Sequence, residues 1–212
     1  MYRLANFLLV RHGTTDWVEG QILHGITDIP LNKKGKLQAE ETARALRECG
    51  AKNLYTSSLL RCVQTAQAIG NEIGPKPISM DSLVELNFGW LEGKHLRDHD
   101  KGEYGKLLEI IDHHFFNLIR MVSGESKKNL DQRVLNGWNT ILAENLEGTA
   151  VVVAHSAVFN SILFHYFGKA HLKGNTYYHL NPCSITEIGI DTSNQAELIR
   201  LNDRSHLSEK NL

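Results

Sequence analysis

Residues 6–13 read NFLLVRHG, a short apolar run that ends in arginine, histidine and glycine. Residues 150–156, AVVVAHS, have a similar pattern, because a β-branched run there also ends in a histidine. Continuous apolar runs of this length are typical of parallel strands that are buried on both faces of a sheet. Both stretches therefore predict central strands, each followed directly by a polar side chain at its carboxyl end.

Apolar residues elsewhere in the chain recur at the spacing of helices or of further strands. Spacing of three to four residues predicts amphipathic helices over residues 33–48, 59–73, 104–122 and 130–142. Extended segments are predicted at residues 53–56, 78–86, 184–190 and 197–201. Strands that alternate with helices indicate an α/β fold, a three-layer sandwich with a mostly parallel central sheet and helices on both faces. Ser57 or Ser58 is expected to cap the helix that starts near residue 59.

The composition is that of an ordinary globular protein and limits the kinds of partner. Of the 212 residues, 42% are hydrophobic and 22% are charged, so we expect a single domain over residues 1–212. The formal net charge is -1, which provides no broad cationic surface for nucleic acid or for an anionic membrane. An anion must therefore be bound by a local cluster of side chains.

The cysteines and the first residues bear on the cellular compartment. Cys49, Cys62 and Cys183 are odd in number and form no CxxC pair, so free thiols in a reducing compartment are expected. The apolar run at residues 7–10 is too short for a signal peptide or a membrane span. We therefore expect a cytoplasmic protein without a membrane partner, and both a monomer and a dimer stay open.

Polar residues that follow the predicted strands form a candidate site. Arg11 and His12 follow the first strand, His155 follows the strand at residues 150–154, and Arg61 comes a few residues after the strand at 53–56. In open parallel sheets, ligands bind beyond the carboxyl ends of the strands. Arginine is a bidentate ligand for phosphate or carboxylate. If these strands are neighbours, two imidazoles and two guanidinium groups surround one anion.

This set of side chains suits phosphoryl transfer, which depends on positioning and on positive charge around the equatorial oxygens. Arg11 and Arg61 supply the charge, and their charge favours the neutral form of His12, the form that attacks phosphorus. His155 can donate to the same oxygens. Glu85 is the candidate acid that protonates the leaving oxygen. A bound phosphate dianion raises the pKa of such a carboxyl group and keeps it protonated.

Other acids and a metal site are the alternatives to this interpretation. Glu92, Asp81 and Glu125 are near enough to Glu85 in the chain to be substitutes for it. His95 and His99 are four residues apart, as two zinc ligands on one helix face are. The glutamate of the His-Glu-x-x-His pattern is absent and no third ligand is evident, so neither a metal nor another cofactor is expected.

Several motifs in order along the chain resemble those of the histidine phosphatase superfamily, also called phosphoglycerate mutase-like. LVRHGTTDW at residues 9–17 is similar to its Arg-His-Gly signature, and GITDIPLNKKG at 25–35 to the stretch that follows. Its second arginine, acid-bearing and second histidine motifs resemble SLLRCVQTA at 58–66, LVELNFGWLEG at 83–93 and VVVAHS at 151–156. GES at 124–126 with Arg133 resembles a further element of the phosphatase branch. The resemblance covers roughly residues 6 to 190.

The resemblance implies a role for each principal residue. His12 is the phosphate acceptor, Arg11, Arg61 and His155 bind the phosphate, and Glu85 is the proton donor. The further residues expected in the pocket are Thr14, Thr15, Gln21, His24, Gly25 and Ser156.

Three positions depart from the pattern of the family. Thr14 replaces an acidic residue or glutamine, and Ser156 replaces a glycine. Val18 replaces an asparagine that helps to hold the phosphate. Because the amide donor at position 18 is lost, we expect weaker phosphate affinity or turnover than is usual in the family.

The predicted function is hydrolysis of a small phosphorylated metabolite by a phosphomonoesterase, through a phosphohistidine on His12. One alternative is phosphoglycerate mutase-type transfer to an organic acceptor, and another is a phosphate-binding module with weakened chemistry. The insert at about residues 90–126 is compact and lacks the long basic, proline-rich stretch of the mutases, which favours the phosphatase. Glu85 argues against the module, because binding alone needs no acid. The insert and residues 21–27 are expected to set substrate specificity.

Overall fold

A central sheet organises the computed structural model, which describes residues 5–95, 124–172, 175 and 177–212. Within these residues six strands pair in the order β3-β2-β4-β1-β5-β6. The strands are β1 (Ala5–Arg11), β2 (Ala51–Ser57), β3 (Pro77–Met80), β4 (Gly148–Ala154), β5 (Ile185–Ile190) and β6 (Ala196–Asp203). The first four are parallel to one another, and β5 runs antiparallel to both of its neighbours. A mostly parallel sheet is therefore confirmed.

Helices cover both faces of the sheet. They are α1 (Asp16–Glu19), α2 (Lys33–Ala45), α3 (Leu60–Ile73), α4 (Lys127–Glu144) and α5 (Ser156–Phe167), with short 3-10 turns at Asp81–Leu83, Gly89–Leu91 and Glu209–Asn211. On one face Leu8 and Val10 of β1 pack in a cluster with α2 and α3. On the other face Phe7 of β1 packs with α4 and α5, and its ring centroid lies 4.8 Å from that of Trp138. Successive side chains of a strand point to opposite faces, which gives the three predicted layers.

Some elements differ from their predictions. Helix α5 is not predicted, because its sequence SAVFNSILFHYF is apolar through most of its length and gives no clear polar face. The extended character of residues 78–86 produces a strand only at Pro77–Met80, and a 3-10 turn follows. The helix predicted over residues 104–122 lies outside the described residues, as does most of the insert.

The predicted cap of α3 is wrong. Leu59 occupies the N-cap position and makes no side-chain capping hydrogen bond. Ser58 Oγ instead donates to Asp81 Oδ1 at 2.7 Å, and Ser57 Oγ lies 2.8 Å from His155 Nε2. Ser57 Oγ also accepts from the N–H of the N-cap residue Leu59 at 3.3 Å, whereas the N–H of Leu60 in the first turn donates to Asp28 Oδ1 at 2.7 Å.

The register brings three strand ends to one edge of the sheet. Arg11 of β1 pairs with Ala154 of β4, and Thr56 of β2 pairs with Val153 of β4. The residues that directly follow β1, β2 and β4 therefore lie side by side at the carboxyl edge. Among the helices described, none is long and apolar enough to span a lipid bilayer.

Candidate active site

His12 lies at the centre of the carboxyl edge. Its backbone N–H donates to Ala154 O at 3.0 Å, which continues the pairing of β1 with β4 by one residue. Its side chain is buried, and the ring centroid lies 5.2 Å from that of His155. Its Nδ1 lies 2.8 Å from Gly13 O, and because a carbonyl oxygen only accepts, Nδ1 carries the proton. The Nε2 atom of His12 therefore has the lone pair.

The surroundings of His12 keep its imidazole neutral. Burial is the main cause that holds the pKa of His12 well below its ordinary value of 6.5, followed by the charges of Arg61 and Arg11. The hydrogen bond to Gly13 acts in the opposite direction, since it favours the protonated ring. Near pH 7 the ring is therefore uncharged and nucleophilic.

His155 directly follows β4 and occupies the N-cap position of α5. Its fully buried ring lies against two side chains from the β2–α3 segment, with Nε2 2.8 Å from Ser57 Oγ and 3.4 Å from Cys62 Sγ. Burial first, and then the charge of Arg61, hold the pKa of His155 well below 6.5. This imidazole is also neutral, and its donor nitrogen depends on the hydrogen bond with Ser57.

Arg61 lies in the first turn of α3 with its side chain fully buried. Its Nη1 donates to Thr27 O at 3.0 Å and its Nη2 donates to Gly25 O at 2.8 Å. Burial lowers the pKa of Arg61, but a guanidinium stays charged at neutral pH. Its Nε is buried and has no hydrogen-bond partner among the described residues.

A loop at residues 25–27 accepts both hydrogen bonds from Arg61, and Glu92 holds that loop. Glu92 Oε1 accepts from Ile26 N at 3.0 Å and from Phe88 N at 3.1 Å. Its Oε2 accepts from Thr27 N at 2.9 Å and from the hydroxyl group of Thr27. Gly25 has a φ of +58°, and a Cβ there would clash with the Glu92 carboxylate. The bonds of Glu92 make it an anchor for the loop rather than an alternative to Glu85.

Arg11 contributes a second guanidinium from the last position of β1. Its Nη1 donates to Leu180 O at 2.5 Å, and its Nε is buried without a partner among the described residues. Burial lowers its pKa, while the nearby Glu85 raises it. Arg11 and Arg61 thus each retain a buried N–H group that a bound anion can satisfy.

Glu85 follows the 3-10 turn Asp81–Leu83 and lies near both guanidinium groups. Its Oε1 accepts from Leu86 N at 2.9 Å, and the backbone N–H of Ala157, in the first turn of α5, also donates to the carboxyl group. Burial raises the pKa of Glu85 above its ordinary value of 4.5, although Leu86 N–H, Arg61 and Arg11 oppose this rise. A raised pKa is what an acid that donates a proton near neutral pH needs.

The two other acids considered as substitutes for Glu85 are engaged elsewhere. Asp81 is exposed and accepts from Ser58 Oγ. Glu125 forms an ion pair with Arg133, with Oε2 and Nη2 at 2.8 Å. Of the carboxyl groups considered, Glu85 is therefore the one whose burial and electrostatic surroundings suit a proton donor.

Thr15 and His24 form a polar pair next to His12. Thr15 Oγ1 lies 2.5 Å from His24 Nε2 and also accepts from Val18 N, as the N-cap of α1. The ring centroid of His24 lies 6.3 Å from that of His12. Burial, Arg61 and Arg11 lower the pKa of His24 to about 3, so the ring is neutral.

The other predicted pocket residues have mainly backbone roles in the structure. Thr14 is buried, and its N–H donates to Gln38 Oε1 at 2.9 Å. Gln21 has a φ of +53°, which lets the chain turn after α1. Ser156 is the first residue of α5, and its carbonyl oxygen accepts from Asn160 Nδ2. Val18 lies in α1, and its N–H donates to Thr15.

Two supporting residues are absent from the sequence-based predictions of the site. Ser57 contacts His155, as described above. Thr65 of α3 joins the two motifs that bear His12 and Arg61, because its Oγ1 accepts from Gly13 N at 3.1 Å and donates to Arg61 O at 2.8 Å. The sequence offers one indication for Ser57, namely its place at the end of a predicted strand. It offers none for Thr65, whose contacts depend on how α3 packs.

The histidine pair considered for zinc is only partly described. His95 is exposed, with Nδ1 3.1 Å from Gly20 O, and His99 lies outside the described residues. In the described part of the chain, no group of three or more His, Cys, Asp or Glu side chains is arranged to hold a metal ion.

Comparison with known proteins finds a matching family model, similar sequences and similar structures. A model of the histidine phosphatase superfamily (branch 1) matches residues 7–204. An uncharacterized phosphatase, PhoE, of Bacillus subtilis is 30% identical over 155 residues, which cover 73% of this chain and 74% of that protein. A probable phosphoglycerate mutase, GpmB, of Cronobacter sakazakii is 28% identical over 87% of this chain and 85% of that protein. The structure of Bacillus stearothermophilus YhfR matches with a TM-score of 0.80 and 26% identity, covering 95% of this chain and 98% of YhfR.

Proposed function

Because this chain belongs to the histidine phosphatase superfamily (branch 1), we propose that it is a metal-independent phosphomonoesterase acting on a small phosphorylated metabolite. The main support for the proposal is the protonation state and the hydrogen bonding of His12. Its ring is buried and neutral, its Nδ1–H is tied to Gly13 O, and its lone pair is on Nε2. A neutral imidazole with a fixed tautomer, next to two guanidinium groups, is suited to attack a phosphate ester.

In the first half of the proposed reaction, His12 Nε2 attacks phosphorus in line with the leaving oxygen. The bond between phosphorus and Nε2 forms as the bond to the leaving oxygen breaks, and the protonated carboxyl group of Glu85 gives its proton to that oxygen. Arg11, Arg61 and His155 stabilise the negative charge on the three equatorial oxygens. The products are a phosphohistidine, an alcohol and an ionised Glu85.

In the second half, water attacks the phosphohistidine. The ionised carboxylate of Glu85 takes a proton from the water as the bond between phosphorus and Nε2 breaks, which restores the carboxyl group and the neutral His12. Inorganic phosphate leaves. The pKa of Glu85, which burial raises above its ordinary value, supports the use of this group first as a proton donor and then as a base.

Metal independence follows from the distribution of charge in this mechanism. A bound metal ion in phosphoryl transfer neutralises charge on the transferring group, and here Arg11 and Arg61 supply two positive charges for that purpose. The proposed reaction therefore uses neither a metal nor another cofactor, and its reactants are the phosphorylated substrate and water.

Transfer to an organic acceptor is a second candidate, since the relative from Cronobacter sakazakii is named a probable phosphoglycerate mutase. Both candidates share the first half-reaction, and they differ in whether water or an organic hydroxyl group takes the phosphoryl group from His12. We favour water, because the sequence before residue 126 lacks the long basic, proline-rich stretch of the mutases and the relative from Bacillus subtilis is named a phosphatase.

The proposal is tested by hydrolysis of 4-nitrophenyl phosphate in the presence of a chelator. The wild-type protein should release 4-nitrophenol and inorganic phosphate in equal amounts, with or without EDTA. His12→Ala should lose at least about 10³-fold of the activity, because the nucleophile is removed. The assay is repeated with added 3-phosphoglycerate as an acceptor. If less inorganic phosphate than 4-nitrophenol is then released, the phosphoryl group is transferred to that acceptor.

His95→Ala is the matched control, because it removes an exposed histidine that has one backbone contact. It should keep the wild-type rate. Turnover that requires an added divalent metal, and that survives His12→Ala but not His95→Ala, contradicts the proposed function. Phosphate binding without any turnover indicates the non-catalytic module instead.

A further inference from the structure

Arg133 of α4 binds the backbone of the segment that bears Glu85. Its Nη1 donates to Ser82 O at 3.0 Å and to Val84 O at 2.7 Å, and its Nη2 lies 3.4 Å from Glu85 O. Ser82 belongs to the 3-10 turn Asp81–Leu83, and Val84 and Glu85 lie in the irregular stretch that follows it, so no regular ladder of hydrogen bonds satisfies these carbonyl groups. The guanidinium of Arg133 does so instead.

Glu125 fixes the orientation of the same guanidinium. Its Oε1 accepts from Arg133 Nε at 2.9 Å and its Oε2 from Arg133 Nη2 at 2.8 Å, which is the bidentate geometry of a strong pair. The backbone N–H of Asn87 also approaches Glu125 Oε2, at 3.4 Å. The pair therefore joins the segment on both sides of Glu85 to the start of α4.

Two glycines permit this close approach. A Cβ at Gly124 would clash with Asn87 Nδ2, and a Cβ at Gly137 of α4 would clash with Ser82 Oγ. The chain before α4 and the middle of α4 thus lie directly against the residues that flank Glu85. Close packing of this kind transmits a displacement of α4 to the acid.

We propose that Arg133, oriented by Glu125, is a positioning residue that holds the carboxyl group of Glu85 at the place where the leaving oxygen is protonated. This inference rests on the proposed function, in which Glu85 is the acid. Arg133 acts through the backbone of Glu85 and touches neither the substrate nor the reacting atoms. Its charge is balanced by Glu125, so its contribution is one of geometry, unlike that of Arg11 and Arg61.

Proton transfer in the transition state needs the acid within hydrogen-bond distance of the leaving oxygen. The contacts described for the Glu85 carboxyl group are to the backbone N–H groups of Leu86 and Ala157, so its position follows that of the chain. A lysine at position 133 has no planar fork with which to bind Glu125 and two carbonyl groups at once. We therefore expect Arg133→Lys to leave the phosphate pocket intact and to misplace the acid.

The test is the dependence of kcat/KM on the leaving group, measured with aryl phosphates from phenyl phosphate to 4-nitrophenyl phosphate. A poor leaving group needs the acid, whereas 4-nitrophenolate leaves without it. Because general acids contribute about 10²–10⁴-fold, Arg133→Lys should lose at least about tenfold with phenyl phosphate and under about threefold with 4-nitrophenyl phosphate. Glu85→Gln should make kcat/KM depend on the leaving group even more steeply than Arg133→Lys does. The double variant with both substitutions should show the same dependence as Glu85→Gln alone, because the misplaced acid is then already absent.

Arg200→Lys is the matched control. Arg200 of β6 also binds two carboxylate groups, with Glu187 at 2.7 Å and Asp203 at 3.1 Å, and β5 separates its strand from β1. It should keep the wild-type dependence on the leaving group. If Arg133→Lys does not fold, Glu125→Gln serves in its place, because it removes one of the two bonds that orient Arg133, and the same steepening is expected.

The outcomes separate this inference from the proposed function. An equal loss for all esters in Arg133→Lys, or an unchanged dependence on the leaving group, overturns the positioning role while the wild-type enzyme still hydrolyses them. Absence of His12-dependent turnover in the wild-type protein overturns the proposed function, and with it this inference.

Discussion

Ser57 illustrates how a neutral side chain determines what a buried histidine can do. Ser57 is the last residue of β2, and its hydroxyl group lies 2.8 Å from Nε2 of His155. A neutral imidazole has one donor and one acceptor nitrogen, and the hydrogen bond at one nitrogen fixes the state of the other. Since the pKa of His155 is well below 6.5, its ring is neutral, and Ser57 therefore orients the donor that the proposed mechanism directs at the phosphate.

We predict that Ser57→Ala lowers kcat/KM for 4-nitrophenyl phosphate by about tenfold, since the loss of one buried hydrogen bond costs about 1–1.5 kcal/mol. The inhibition constant of vanadate, a phosphate analogue, should rise in parallel. Ser58→Ala is the matched control, because the neighbouring hydroxyl group donates to the exposed Asp81. Equal effects of the two substitutions would show that Ser57 has no special relation to His155.

At the scale of single residues, the sequence predicts side chains that follow strand ends better than it predicts the residues that hydrogen-bond to those side chains. Arg11, His12 and His155 follow apolar runs directly, and parallel strands bring such positions to one edge. Ser57 also ends a strand, but a serine before a helix is more often a cap, and the sequence does not say that β4 lies beside β2. The roles of His12, His155, Arg11, Arg61 and Glu85 stay predictions until the kinetic tests are made.

The loop at residues 25–27 is the element that sets the position of Arg61. The carbonyl groups of Gly25 and Thr27 accept from its guanidinium, while Glu92 binds the N–H groups of Ile26 and Thr27. The loop has no regular secondary structure, so its shape depends on these few bonds. A change at Glu92 should therefore affect the proposed phosphate pocket through Arg61.

We predict that Glu92→Gln raises the inhibition constant of vanadate by about three- to tenfold, because an amide nitrogen in place of Oε2 cannot accept from Thr27 N. The remaining oxygen can still accept from Ile26 and Phe88, so the dependence on the leaving group should stay that of the wild-type enzyme. Glu72→Gln is a suitable control, since Glu72 pairs with Arg47 at the surface. A steeper dependence on the leaving group in Glu92→Gln would show that Glu92 acts on Glu85 instead.

Helices and strands whose apolar residues follow a clear pattern can be predicted from the sequence, and those without such a pattern cannot. The apolar runs of β1 and β4 and the spacing in α3 correspond to observed elements within one or two residues. Helix α5 lacks a clear polar face, and β3 ends at Met80 although residues 78–86 have extended character throughout. The antiparallel direction of β5 is also not determined by local pattern, because a buried strand has similar residues in either direction.

At the scale of the whole molecule, the three layers bury several ionisable groups at one edge of the sheet. His12 and His155 are buried beside two guanidinium groups, and each histidine is thereby kept neutral. In the unfolded chain the same histidines are exposed to water and titrate near pH 6.5. The site therefore links the stability of the fold to pH, whatever substrate it binds.

We predict that the free energy of unfolding falls as the pH is lowered from 7.5 to 5.5. Below pH 6.5 the unfolded chain takes up protons that His12 and His155 do not bind in the folded state, so acid favours unfolding. Each of the two contributes up to about 1.4 kcal/mol per pH unit until its folded pKa is reached. His24, with its pKa lowered to about 3, acts in the same direction. Glu85 acts in the opposite direction, because its raised pKa lets the folded protein bind a proton more tightly.

Urea unfolding at several pH values measures this dependence. Replacing both His12 and His155 with glutamine should reduce the change in unfolding free energy between pH 7.5 and 5.5 to the part that comes from the remaining groups such as His24, because glutamine does not titrate. A double variant as sensitive to acid as the wild-type protein would mean that His12 and His155 bind protons equally well in the folded and unfolded states. In that case the neutral imidazole required for attack on phosphorus would no longer be supported by burial and by the guanidinium charges.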